Sequence, residues 1–223
     1  MPNFELYLLA LVIPLIAQIY VSVTYSKSKK IKNTKGISGF DVARAILDKN
    51  GLKDMYIVST HGKMSDHYDP TRKTVKLSTE VFDGEHIASL AIAAHECGHA
   101  IQDKEKYLWM KIRSMIFPIV KLGTGFAYVV LFVGLFLEMM NLIWLAIALV
   151  SLGLIFQLVT LPVEFDASKR ALEELKKLGY VNKEDEGYTK KMLRAAAYTY
   201  VAGVLASALE IIRLIIAFTG RND

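Results

Sequence analysis

Apolar residues are not spread evenly along this chain: they concentrate in four long runs, with the charged positions collected between them. Residues 4–25 are apolar except for Glu5 and Gln18, and at 1.5 Å per residue such a helix crosses a hydrocarbon core of about 30 Å. The run begins without basic residues and no small-residue cleavage site follows it, so a retained anchor is expected rather than a removable signal peptide; Pro14 predicts a kink. Residues 114–137 and 141–163 are two further spans. Only Glu138, Met139 and Met140 separate them, which predicts a helical hairpin. A fourth run, residues 195–218, is long enough but carries Glu210 and Arg213. A charge at mid-bilayer costs at least about 2.5 kcal/mol, so these two, three apart on one helical face, are expected to pair or to reach the interface. Lys121, near the start of the second run, reads as a snorkelling side chain.

The polar segments have patterns of their own. Ser38 precedes FDVARAILDKN, in which Val42, Ala43, Ile46 and Leu47 share one face and Gly51 follows, the signature of a capped amphipathic helix with a stop. MYIVST predicts a strand. KTVKLS, after the turn-rich DHYDPTR, predicts a second, so residues 55–78 are expected to form an antiparallel pair. KTVKLS is also expected to offer its edge to an extended substrate. The Ala-rich GEHIASLAIAAHECGHAIQ then predicts a helix. The fold class expected is a mainly α integral membrane protein, with about four transmembrane helices and a small cytoplasmic α+β domain. Its segments are an anchor (1–25), the cytoplasmic domain (26–113), a transmembrane hairpin (114–163), a cytoplasmic helix starting after Pro162 (164–194), and a C-terminal transmembrane or membrane-associated helix (195–223).

Composition narrows the class further. Hydrophobic residues make up 53% and charged ones 22%, which excludes disorder and argues against a purely soluble protein. Cys97 is the only cysteine, so no intrachain disulfide is available. The formal net charge is +5, and its placement carries more information than its size. Of the 27 Lys and Arg, 16 lie in residues 26–113 and 8 in residues 164–194, which puts both segments on the cytoplasmic side of a multi-pass cell-membrane protein and the N-terminus outside. The cluster Lys27, Lys29, Lys30, Lys32 and Lys35 is the strongest vote. With no aromatic-interleaved groove beside it, the cluster fits a bilayer surface and not nucleic acid.

Within the Ala-rich helix stands His95-Glu96-Cys97-Gly98-His99, the H-E-x-x-H pattern. At 100° per residue the two imidazoles lie about 40° apart and can reach one ion, with Glu96 alongside. Neutral imidazole suits zinc, which activates water, while a carboxylate outside the ligand set takes the proton. Gly98 costs about 1 kcal/mol of helix stability relative to Ala, which a close backbone approach would explain. Cys97 is assigned to the core. A third ligand is needed, and the pattern with a third His six residues after His99 fails, because Gln102 and Glu105 occupy its key positions. The intramembrane type is also disfavoured, since His95 lies outside any long apolar run. Glu164 directly follows the third span, which the hairpin returns to the side it left. Asp166 competes with it but has Arg170 four residues on as another partner, and a helix N-terminus would accommodate Glu164 without any metal.

AAHECGHAIQ, the upstream SDHYDP followed by KTVKLS, EFDAS after a membrane hairpin, and AAAYTYVA near the C-terminus together resemble the YugP-type bacterial membrane zinc metallopeptidases over nearly the whole chain. The resemblance implies a membrane-bound, zinc-dependent endopeptidase with a zincin-like (minigluzincin) domain. Its implied ligands to Zn2+ are His95, His99 and Glu164, with Glu96 as catalytic base, and it favours Glu164 over Asp166. It implies a bacterial enzyme with a polypeptide substrate, and a site at the cytoplasmic face makes membrane proteins or their juxtamembrane segments reasonable targets. One departure is Ser168, which stands where many gluzincins place an Asp that orients a ligand histidine; support must come from Ser168, from Asp166 in a non-helical segment, or from elsewhere. The oxyanion donor is unassigned among His61, His67, Tyr68, Tyr180 and Tyr198, for each of which a structural hydrogen bond is the simpler role. His86 is expected to be a polar residue at a helix start. The alternative to an enzyme is a catalytically silent scaffold stapled by zinc.

Overall fold

Residues 2–219 are described in a computed structural model. The elements in chain order are α1 (Pro2–Ser28), α2 (Gly39–Lys49), β1 (Tyr56–Thr60), β2 (His67–Asp69), β3 (Thr74–Ser78), α3 (Thr79–Phe82), α4 (Ile87–Lys104), α5 (Leu108–Phe136), α6 (Met140–Lys177) and α7 (Lys183–Thr219). The chain divides into two compact units. One comprises the residues up to Gln18, Lys111–Pro162 and those from Tyr198 onward; the other comprises Ile19–Met110 and Val163–Ala197.

The first unit is built from apolar helix. Four helices, α1, α5, α6 and α7, are long and apolar enough to cross a membrane. Between α5 and α6 the chain reverses at Glu138, which adopts φ 55°, and Met139 N–H donates to the Gly134 carbonyl at 2.8 Å. Gly134 makes the turn close, because a Cβ there would lie 3.0 Å from the Leu142 side chain, a tight contact. Ile143, Ile147, Leu214 and Phe218 form a small buried cluster, whereas Phe132 and Phe136 are 71% and 79% exposed, as lipid-facing residues would be. The two charges of the fourth run pair as expected: Arg213 donates to both oxygens of Glu210, at 2.8 and 2.5 Å, with its guanidinium 5.6 Å from the Tyr7 ring centroid. Two helix starts differ from expectation. No new helix begins after Pro162; α6 runs through it, since the sequence on either side is helix-forming and only one N–H is lost. The helix of the fourth run begins at Lys183, not at residue 195, and residues 220–223 of that segment lie outside those described.

In the second unit, Ser38 accepts from Asp41 N–H while Asp41 reaches back to Ser38 N–H, a capping box that starts α2. Gly51, at φ 67°, supplies the left-handed turn after its end. The face predicted from spacing, Val42, Ala43, Ile46 and Leu47, is wholly buried. The sheet corrects the sequence reading. Its order is β1-β3-β2, with β1 and β3 parallel (Tyr56 opposite Thr74) and β2 antiparallel to β3 (His67 opposite Lys76). MYIVST and KTVKLS therefore pair, but in parallel, because β2, hidden inside the segment taken for a turn, forms the hairpin that brings β3 into the centre. The turn is made by Asp69, whose Oδ1 accepts from Thr71 N–H, Thr71 Oγ1 and Arg72 N–H at 3.1, 2.7 and 3.2 Å. Centrality also overturns the expectation that KTVKLS takes substrate along its edge: β3 is paired on both sides, and the open edges belong to β1 and β2.

Helix α4 packs against α2, α3, β2 and β3. Its Ala-rich sequence allows this, because small side chains on most faces let several elements approach at once; Ala91, Ala93, Ala94 and Ala100 are all fully buried. His86 caps its start, with Nδ1 accepting from Ser89 N–H at 3.1 Å, in line with the reading of that residue. Cys97 is fully buried in the core, Sγ 3.7 Å from the Ala43 carbonyl.

Candidate metal centre

A spacing of four residues on a helix of 3.6 residues per turn brings His95 and His99 to the same side of α4, their rings 4.8 Å apart between centroids and nearly perpendicular at 81°. Helix α6 brings Glu164 to them. Its Oε2 lies 3.3 Å from His95 Nε2 and 3.6 Å from His99 Nε2, and one ligand atom from each of the three residues lies within 4.8 Å of the others. The side chains are 14%, 11% and 3% exposed, so the group is sheltered but still reachable from solvent.

The approach of α6 to α4 is made at Gly98. A Cβ at that position would lie 2.6 Å from the Ala167 carbonyl oxygen and 3.1 Å from its carbon, so the two backbones meet where the sequence placed an otherwise costly glycine. Four of the five residues of EFDAS then acquire a place. Glu164 faces the histidines. Asp166 Oδ2 accepts from Arg170 Nε at 2.5 Å, within the helix and not in the non-helical segment envisaged. Ala167 meets Gly98, and Ser168 Oγ lies 3.2 Å from His95 Nδ1. His99 Nδ1 lies 3.0 Å from Gln102 Oε1, a partner not among the residues expected to support the histidines. Gln102, fully buried, also donates to the Val163 carbonyl and to Asp166 Oδ2, each at 2.8 Å. The one signal that could have found it is its spacing, three residues after His99 and therefore one turn along the same face.

The donor set fits a metal. Separations of 3.3 and 3.6 Å match the edge of a tetrahedron with bonds of about 2.0–2.1 Å, which is roughly 3.3 Å. Both Nδ1 atoms have other partners, which leaves both Nε2 atoms to converge beside Glu164. A metal held by three protein donors of N, N and O type would keep a further position for water or substrate.

Glu96 is 8% exposed on the same helix. Burial raises its pKa above the ordinary carboxylate value, while His95 and His99 pull the other way. Burial also works against a charged His99, but the Glu164 carboxylate, with Glu96 and Gln102, outweighs it and raises the pKa of that ring.

The DHYDP residues serve architecture. Asp66 accepts from Ser78 N–H at 2.7 Å, and Tyr68 Oη donates to Asp103 Oδ2 on α4 at 2.7 Å, a bond that with burial raises the Tyr68 pKa. His67, exposed at the start of β2, has Nδ1 2.8 Å from the Ser65 carbonyl, and His61 is exposed in the segment between β1 and β2. Tyr180 packs on the core of the second unit, and Tyr198 belongs to the first. For Tyr68 and His67 the structural hydrogen bond is the observed one.

Comparison with known proteins bears on the whole chain. It is 41% identical over 207 residues, 93% of its own length and 92% of the relative's, to a Bacillus subtilis (strain 168) protein named "Putative membrane protease YugP". No solved structure matches it. The family model described as "Putative neutral zinc metallopeptidase" matches residues 4–219, and the chain belongs to that family.

Proposed function

We propose that this chain is a membrane-bound zinc metalloendopeptidase that hydrolyses peptide bonds at the cytoplasmic face, with His95, His99 and Glu164 as metal ligands and Glu96 as general base. The convergence of two imidazoles and one buried carboxylate, all within 4.8 Å, is the observation that carries it. Zinc, when bound, supplies a Lewis acid that polarises the scissile carbonyl and acidifies water. The chain's own residues do the rest. Ser168 and Gln102 sit on the far nitrogens of the two rings and hold their planes. Glu96 takes the proton of the attacking water on its carboxylate oxygen and delivers it to the leaving amine nitrogen. Its burial supports this role, since a carboxylate whose pKa is raised is a stronger base toward the proton of water.

The cytoplasmic placement rests on the lysines that follow the first apolar run, Lys27, Lys29, Lys30, Lys32 and Lys35, and puts residues 26–113 and 164–194 on that side with the N-terminus outside. Membrane proteins and their juxtamembrane segments are the substrates within reach of such a site. The test is a cleavage assay on unfolded and membrane-protein substrates, with metal analysis, on wild type and Glu96→Gln. The expected result is equal zinc content and loss of cleavage in the variant. Cleavage at the wild-type rate in Glu96→Gln overturns the mechanism, and zinc without cleavage in either protein leaves the metal as a staple of a silent scaffold.

A further inference from the structure

Gln102 is fully buried, and its amide is fully committed. Its two N–H protons go to acceptors that have none to give in return: the Val163 carbonyl, and an Asp166 oxygen already bonded to Arg170 Nε at 2.5 Å. A carboxyl oxygen that accepts from a guanidinium N–H offers the amide a lone pair and no proton. The orientation of the amide follows, because turning it over would aim its oxygen at both of these acceptors. Oε1 must then face His99 Nδ1, 3.0 Å away, and an amide oxygen can only accept. The proton of neutral His99 therefore sits on Nδ1, and the lone pair on Nε2 is directed to the side where Glu164 lies. The chain of bonds continues outward, from Asp166 to Arg170 and from Arg170 Nη1 to Glu105 at 2.6 Å. Gln102 is also one end of a clip, since the Val163 carbonyl immediately precedes Glu164 on α6. One side chain thus touches the backbone beside one ligand and the ring of another.

We propose that Gln102, held by the Asp166–Arg170 pair, is the positioning residue that fixes the metal-ready tautomer of His99 and its register with Glu164. The proposal rests on the metal-centre reading, and its failure is separable from the failure of that reading. Ser168 cannot substitute for it: a hydroxyl at 3.2 Å from His95 Nδ1 can donate or accept, so it supports the other ring without dictating where its proton sits.

The test uses the full-length protein in detergent. Zinc affinity is measured by chelator competition on wild type, Gln102→Met, Gln102→Glu, Asp166→Asn and His99→Ala, and the cobalt-substituted forms are compared by visible absorption. Histidine labelled with nitrogen-15 reports the protonated nitrogen directly, and only five histidines need assignment. Loss of a partner to a ligand histidine typically lowers metal affinity about 10- to 100-fold. Gln102→Met is expected to show a loss of that size, an altered cobalt spectrum, and a metal-free His99 that samples both tautomers. Gln102→Glu keeps an acceptor for Nδ1 but loses both donors, so it is expected to retain the wild-type tautomer while binding zinc more weakly. Asp166→Asn frees the amide to turn over and is expected to shift His99 toward the Nε2-protonated form. A purely structural role would lower thermal stability and leave affinity per folded molecule, cobalt spectrum and tautomer unchanged, and that outcome overturns the proposal. If His99→Ala binds zinc as tightly as wild type, the metal-centre reading itself falls.

Discussion

Replacing Gly98 with alanine puts two effects in direct competition. Alanine in a helix interior is favoured over glycine by about 1 kcal/mol, so at an open position this change would stabilise α4. At Gly98 the new Cβ would stand 2.6 Å from the Ala167 oxygen, about 0.8 Å short of ordinary contact, and the obstacle is backbone that cannot swing aside. Forcing extra volume into such a contact costs roughly 1–3 kcal/mol, which leaves a net change between none and about 2 kcal/mol against the fold. The larger effect is expected in the site. Ala167 is three residues from Glu164 on α6 and Gly98 is next to His99, whereas metal bonds tolerate displacements of only about 0.2 Å. Separation of the two backbones by even half of the overlap therefore exceeds what the ligand set can absorb. Zinc affinity is expected to fall at least about tenfold, equivalent to about 1.4 kcal/mol, measured by chelator competition alongside thermal unfolding of the metal-free protein. A Gly98→Ala protein that melts at a higher temperature and binds zinc as wild type does would refute the argument that this glycine sets the distance between α4 and α6.

Further expectations address other parts of the molecule. Removal of either partner of the Glu210–Arg213 pair leaves a lone charge in apolar helix, at a cost of about 2.5–3.5 kcal/mol, so Glu210→Gln and Arg213→Met should each lower yield and thermal stability more than the double substitution does; additive losses would contradict the pairing. Acidification should loosen the start of α4. Burial, aided by Lys29, holds the His86 pKa below its unfolded value of about 6.5, so this contribution is fully present above pH 6.5 and declines as the pH falls through that value toward the depressed folded pKa. Asn accepts the Ser89 N–H without titrating, and the drop in melting temperature between pH 7 and 5 should be smaller in His86→Asn than in wild type; equal drops would remove His86 from the account. Glu164→Ala should lose zinc while keeping helical content by circular dichroism, and retained stoichiometric zinc would exclude it as a ligand.

The parts of this fold that were legible in the sequence are those governed by local periodicity. The Ser38 cap, the Val42–Leu47 face and the long apolar helices follow from spacing along a single element, and so does the alignment of His95 with His99. Strand direction was not legible. YIVST and TVKLS look alike whether they run parallel or antiparallel, and the deciding feature, the three residues of β2 within a turn-rich stretch, is too short to show a period. Nor was the continuity of α6, because proline discourages a helix locally while the surrounding residues restore it. Gln102 illustrates a further limit: its meaning depends on Val163 and Asp166, about sixty residues away, and no local pattern marks an amide whose orientation is set by distant acceptors.

Cys97, fully buried in the core and two residues from each histidine in sequence, has a practical consequence. Its thiol is the sole one in the chain, and burial raises its pKa, so alkylating reagents cannot reach a reactive thiolate while α4 is seated. Each modification event therefore counts an excursion in which that helix lifts from the core, and labelling kinetics yield the opening free energy of the element that bears both imidazoles. Titrating zinc into the reaction would slow labelling by the factor through which an ion bound only to the closed form protects it, a site-resolved binding isotherm obtained without any substrate.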